Sequence, residues 1–400
     1  MKMKKLTWLN VATFSLLALG SVACSSDREE VLNEEISVDL LDSYAIDRFK
    51  VLEITPKVPA NAKLTWKIQD SLVSESANLE FISPYTKTYP LTLTIEINGK
   101  VTQHQSKIIV NKEAKPYSRF IEKVLDFLPA PGQFTNELPM YDKGNTHEDI
   151  VKKADREIAK NAKGMISLGG FGGYVVFKFD HTVANLEGPD FKVLGNTFDS
   201  NSTEYKGRSS EPGVIMVAYD RNKNGKPDEE EWYEIAGSEY FKETTIKNYS
   251  ITYFKPDENK EAVTGDEFFV ADKDYIRWED NQGGKGYLIK NVYHEQSYYP
   301  LWKNQNTITF TGTKMPDNYV QNPNTGIWET EGFAFGYADN AENTKEEANI
   351  DISWAVDKNG KYVKLPGIDF VKIYTGIRQE AGWLGEVSTE VAGAYDLRLK

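Results

Sequence analysis

Between Ile36 and Asn111 apolar and polar positions alternate in short runs, at 49–54, 63–68, 89–97 and 105–110, with Pro56, Asn61 and Asn98-Gly99 between them. Period-two alternation over such lengths predicts half-buried strands joined by tight turns, with Trp66 as the core aromatic. The texture changes after Lys115. Phe120, Val124 and Phe127 fall at helical spacing, and Pro129 and Pro131-Gly132 end that run, so a helix is predicted over 117–127. A second helix is predicted from Thr146. This residue can cap it, Asp149 stands three residues on, and Ile150, Ala154 and Ile158 share one face. From 174 onward the pattern returns to strands, at 174–179, 214–219, 232–235, 307–310, 333–339 and 350–356. The run 368–374 is apolar enough to be a central strand. The glycines of 169–173 precede a strand rather than a helix and lack a following Gly-Lys-Ser/Thr. They predict a turn or bulge at a sheet rim, where a large flat ligand could also approach the backbone, and not a phosphate loop.

Composition supports a mostly β protein, with 12% aromatic residues and frequent Gly, Asn and Asp punctuation over 400 residues. The expected fold class is mainly β. A sandwich resembling an immunoglobulin-like or PKD-like module spans 36–113, and a larger jelly-roll-like β domain with one or two helices at its start spans 114–400.

The first residues change the picture of where the chain works. A lysine-bearing start, an apolar run from Leu6 to Gly20 and Ser21-Val-Ala-Cys24 resemble a bacterial lipoprotein signal over 1–23, with Cys24 as the lipidated residue. The alternative is an ordinary secretory signal with a chance cysteine. The acidic tether that follows, 24–35, resembles the tract that sends Bacteroidota lipoproteins to the outer face of the outer membrane. Cys24 is the single cysteine, so no intrachain disulfide can form. Removing residues 1–23, with three lysines and no acids, moves the formal charge from −13 to −16, which argues against nucleic acid as a partner.

Two stretches carry candidate chemistry. Asp220, Asn222, Asn224, Lys226 through its carbonyl, Asp228 and Glu231 have the spacing of a twelve-residue calcium loop, with Gly225 at the sixth place. The flanks read as strands, so the loop would join a hairpin. The competing reading is a plain Asn-Gly turn with a solvated acidic end. Asp339 and Asp351 stand where a second cation could be held, or where aspartates simply form turns. The segment 275–302 is dense in rings and amides. Trp278, Tyr287, Tyr293, His294, Gln296, Tyr298, Tyr299 and Trp302 predict an exposed ligand-binding rim, although for any one tyrosine the core is the competing place.

Several motifs together, Pro129 to Phe134, Gly164 to Gly170, Glu211-Pro-Gly213, Asp220 to Tyr240, Gln296 to Pro300, Gly336 to Asn340, Phe370 to Tyr374 and Gly382 to Glu386, resemble a Bacteroides cell-surface lipoprotein family. Its members have a PKD-like N-terminal module and are similar to lipoproteins of cobalamin acquisition. The resemblance implies a surface-exposed protein that binds a corrinoid and hands it to a TonB-dependent transporter, with no catalytic residues. The alternative is a glycan-binding surface lipoprotein built like a carbohydrate-binding module. An enzyme is disfavoured. The chain has no His-Glu-x-x-His, no Gly-x-Ser-x-Gly, no thiol beyond Cys24 and only four histidines.

Overall fold

The run 368–374 becomes the strand Gly367–Thr375, which lies inside a six-stranded antiparallel sheet. The computed structural model describes residues 38–199 and 208–400, so Cys24 and the leader lie outside the described residues. The sheet order is Ala355–Val356, Trp232–Ile235, Gly213–Ala218, Gly367–Thr375, Tyr174–Ala184, Lys123–Leu128. One face presents Phe127, Val175, Phe177, Ile215, Val217, Ile235, Val371 and Ile373 to the main core. The other face carries a different row in cross-strand register: Asp126, Val176, Lys372, Met216 and Glu234. Alternation along each strand therefore separates a sealed side from a mixed one, where Val214 and Tyr374 pack into a further apolar cluster with Met315, Ile377 and Val387 beside the charged row.

A helix does form at His147–Ile158. Thr146 accepts from the Asp149 backbone while the Asp149 carboxylate accepts in return, and Ile150, Ala154 and Ile158 are buried. The segment 117–127 is not a helix; its second half is the edge strand Lys123–Leu128. Its pairing with Tyr174–Ala184 shifts register between Val176 and Phe177, which places an extra residue on the edge strand. That bulge turns Val124 and Phe127, three apart, to the same buried face, so helical spacing was produced by a strand irregularity. The helix packs beside this edge, with the Val124 N–H donating to Asp155 Oδ1 at 2.8 Å.

One expected strand is absent and another is split in two, into Asn349–Ile350 and Ala355–Val356. Residues 333–339 turn instead, with positive φ at Gly336 and Asp339, and the Asn340 amide closes the turn by bonding both the N–H and the carbonyl of Phe333. In 350–356 a single 3₁₀ turn, Ile352–Trp354, intervenes, because the Asp351 carboxylate accepts from the Ser353 N–H and caps it. The alternation still buries Ile350 and Ile352.

A four-stranded sheet, ordered Lys285–Asn291, Val270–Asp280, Ile246–Phe254, Thr307–Lys314, encloses a second, ring-rich core with Ala130 and Phe171. The glycine segment is the seam between the two cores. Gly169 and Gly172 adopt positive φ, and a Cβ on Gly173 would run into the Leu168 carbonyl and the Ala130 nitrogen. The N-terminal module has a five-stranded sheet, a two-stranded ribbon and a core around the fully buried Trp66, whose indole donates to the Ser76 carbonyl. Among the described residues no helix is long and apolar enough to cross a membrane. Thr146→Ala, which removes the cap, is expected to lower the melting temperature by about 2–4 °C in a calorimetric scan, and Thr146→Ser to restore it.

Candidate functional site

The polar face of the central sheet is only partly covered. Strands Ile246–Phe254 and Thr307–Lys314 overhang it, leaving a groove of about 270 Å³ lined in part by Trp232, Glu234, Tyr240, Lys247, Lys372 and Tyr374. Glu234 lies 3.7 Å from the Lys247 ammonium and accepts from the Thr313 hydroxyl at 2.7 Å. Burial raises the Glu234 carboxyl above its ordinary value, while Lys247 and Thr313 pull it back. Burial likewise pushes Lys247 down to about 8, against the attraction of Glu234. Lys247 sits over the ring of Tyr240. Lys372 is lowered by burial too, and its ammonium lies 4.6 Å from the centre of the Tyr174 ring. Tyr174 in turn donates to Asp126 at 2.7 Å, and Asp126 also meets His147 at 2.7 Å.

At the mouth, Tyr240 and Phe241 pack edge to face at 4.8 Å, and Phe241 meets Tyr362 at 5.9 Å. Phe241 is 61% and Tyr362 58% exposed. The exposed rings Phe241 and Tyr362 are thus joined through Tyr240 to a groove lined by partly desolvated charges. Sequence reasoning missed this site. The available signals were Lys372 inside an otherwise apolar central strand and Glu234 inside Trp232-Tyr-Glu-Ile235.

The expected rim does not assemble. Trp278 is 8% exposed, and Tyr298 and Tyr299 are 1% exposed, all within the second core, so these three are corrected from ligand contacts to packing residues. Their polar ends explain how two neighbouring tyrosines can both turn inward. The Tyr298 hydroxyl accepts from the Asn291 N–H, and the Tyr299 hydroxyl donates to the Gln305 carbonyl. The segment is also not a strand there, so side chains need not alternate. Trp302 stacks on Tyr141 against the main core, and Gln296 donates to the Gln133 carbonyl. His294 packs on Phe134 and lies 3.6 Å from Glu137. Tyr287 and Tyr293 do face solvent.

The acidic loop is closed by hydrogen bonds among its own residues. Asp220 accepts from the N–H groups of Asn224 and Gly225, and Lys226 donates its N–H to Asn224. Asn222 and Asn224 reach Asp228 through their amides, while Glu231 accepts from the N–H groups of Arg221 and Asp228. Arg221 leaves the loop to pair with Glu80 of the N-terminal module at 2.8 Å. Asp339 lies in a buried acidic cluster, whereas Asp351 is the turn cap described above.

Gln133 ties the two cores together. Its N–H donates to Glu386, its amide donates to the Leu384 carbonyl, and its amide oxygen accepts from Asn291. Burial drives Glu386 up to about 8 and Glu380 to about 7, with Arg378 partly relieving Glu380. Arg378 itself covers the face of Trp278 at 3.5 Å.

No family model and no curated protein matches the chain. Among solved structures, a SusE-like protein aligns over 91% of this chain and 96% of its own at 8% identity and a TM-score of 0.29. A quinonprotein alcohol dehydrogenase-like protein from Bacteroides thetaiotaomicron aligns over 62% and 47% at 12% identity and a TM-score of 0.17. Three N-terminal domains of the bacteriophage RB49 outer capsid protein Hoc align over 50% and 54% at 8% identity and a TM-score of 0.15. At these scores none of them carries an argument about this chain.

Glu386 has a folded-state pKa above its ordinary 4.5, so the fold binds more protons than the unfolded chain. Its contribution is fully present below that ordinary value and is lost as pH rises through about 8. The melting temperature is expected to fall between pH 5 and pH 8.5, and Glu386→Gln to flatten that slope in a pH series of thermal scans.

Proposed function

We propose that the chain is a surface-anchored lipoprotein that binds a glycan in the groove on the polar face of the central sheet, without bond-making. The observation that carries the reading is the juxtaposition of Trp232, Tyr240, Phe241 and Tyr362 with Glu234, Lys247 and Lys372. A sugar ring offers an apolar C–H face to an aromatic ring and directs hydroxyls sideways to charged partners, and this groove supplies both in one place. The volume suits one or two sugar rings and is too small to enclose a corrinoid. The ring-rich rim that a corrinoid would have used is largely packed inward, which favours the glycan over the corrinoid and its handover to a TonB-dependent transporter. The anchor rests on the signal-like leader ending at Cys24, and placement at the cell surface on the acidic tether.

Titration calorimetry against a panel of neutral and uronate-containing oligosaccharides is expected to find saturable binding. Trp232→Ala and Tyr240→Ala should each weaken it at least about tenfold with the circular dichroism spectrum unchanged. Binding of cyanocobalamin with no response to any oligosaccharide would replace the glycan reading by the corrinoid one.

The reading includes a structural calcium ion in the loop 220–231, supported by the Asp220 bonds to Asn224 and Gly225. Asp220→Ala is expected to lower bound calcium by about one equivalent and to shrink the fall in melting temperature on chelation. Unchanged calcium content in that variant would leave the loop as a turn.

A further inference from the structure

Three carboxylates that are distant in sequence converge beneath the polar side of the fold: Glu211 just before the strand Gly213–Ala218, Asp339 in the turn 336–340, and Glu390 in the ribbon Glu390–Val391. One oxygen from each lies within 4.8 Å of the others. Each carboxylate is held by groups other than a counter-ion. Asp339 Oδ1 accepts from the N–H groups of Asn196 and Thr197 at 2.9 Å and from the Thr197 hydroxyl at 2.8 Å, and Oδ2 accepts from the Glu390 N–H at 3.0 Å. Glu211 Oε1 accepts from the Ser388 N–H at 3.1 Å, and Glu390 Oε1 from the Ser388 hydroxyl at 2.7 Å.

The second oxygen of Glu390 is the decisive one. Glu390 is 2% exposed, and no well-formed hydrogen bond reaches its Oε2, although the Ser167 hydroxyl and the Glu211 carboxyl stand close enough to favour its charged form. Its carboxyl meets that of Glu211, and one oxygen of Glu390 lies in the shared space of the three acids. Burial first, then repulsion from Glu390 and Asp339, holds Glu211 well above the ordinary carboxylate range; burial and repulsion from Asp339 lift Glu390 to about 7, with the Glu211, Ser388 and Ser167 hydrogen bonds pulling it back, and burial lifts Asp339 to about 6. A buried acceptor without a donor is costly, and three acids facing one another multiply that cost unless a positive charge sits between them.

We propose that Glu211, Asp339 and Glu390 form a site for one hard divalent cation, of which calcium is the leading choice. The donor set is oxygen only, which suits calcium, magnesium or manganese and not zinc or copper. Three carboxylates, one or more of them bidentate, supply most of a calcium shell, and water entering beside the partly exposed Glu211 completes it. The ion would fasten the start of the strand Gly213–Ala218, the turn 336–340 and the C-terminal ribbon to one another. This site is separate from the loop 220–231 and from the groove.

The test uses the full mature chain carrying Asp220→Ala and Asp228→Ala, so that the acidic loop does not contribute. After exhaustive chelation and re-addition of calcium, magnesium or manganese, metal content is read by mass spectrometry and stability by thermal scan. The expected result is about one equivalent of bound ion and a rise in melting temperature with calcium, both lost in the added variants Glu390→Gln and Glu211→Gln. Because Glu211 is at the edge of the cluster, Glu211→Gln keeps the test open if Glu390→Gln fails to fold. No bound ion and no response to any of the three metals would overturn the proposal and leave a shared proton as the occupant. Retention of the ion in either folded Gln variant would overturn it as well.

Discussion

The strand Gly367–Thr375 imposes the constraint on which the rest of the second domain depends. From Phe370 to Tyr374, with partners on both sides, it must place every other residue against the main core, and the residues between must go to the opposite face. Val371 and Ile373 are sealed, so Lys372 and Tyr374 are committed to the polar side regardless of what chemistry they carry. The neighbouring strands obey the same rule in register, which is why Glu234, Met216 and Asp126 line up with Lys372. A groove of charged groups on the back of a core sheet is thus a geometric consequence of sealing the front.

That arrangement costs solvation, and the fold offsets it in different ways at different places. In the groove, Glu234 and Lys247 are near enough to attract, and aromatic faces stand under the two ammonium groups. Where Gln133 joins the two cores, Glu386 is pushed toward its neutral form and takes a backbone N–H. At Glu211, Asp339 and Glu390, backbone and hydroxyl donors satisfy part of the carboxylate surface and leave one oxygen unmet. The three places differ in whether the compensating charge is supplied by the chain itself.

Much of the architecture was legible because it depends on local rules. The capped helix at His147–Ile158, the strands Lys63–Ile68 and Trp232–Ile235 and the central position of 368–374 all follow from spacing and turn chemistry. The misreadings have local causes as well. A bulge gave Val124 and Phe127 helical spacing in a strand, and positive φ at Gly336 and Asp339 broke an alternating run into turns.

The amino-acid order by itself determined a mainly β chain with a signal-like leader ending at its single cysteine, a helix at a known place and a loop with calcium spacing, since each is a property of neighbours along the chain. Only the tertiary structure decided which aromatic residues are available. Nothing in their local sequence told Trp278, Tyr298 and Tyr299 apart from Tyr240, Phe241 and Tyr362, yet the first three fill a second core, Tyr240 lines the groove, and Phe241 and Tyr362 stand exposed beside it. The meeting of Glu211, Asp339 and Glu390 was likewise invisible along the chain. Burial and long-range proximity are set by how sheets stack, and no window of sequence contains both partners of such a contact.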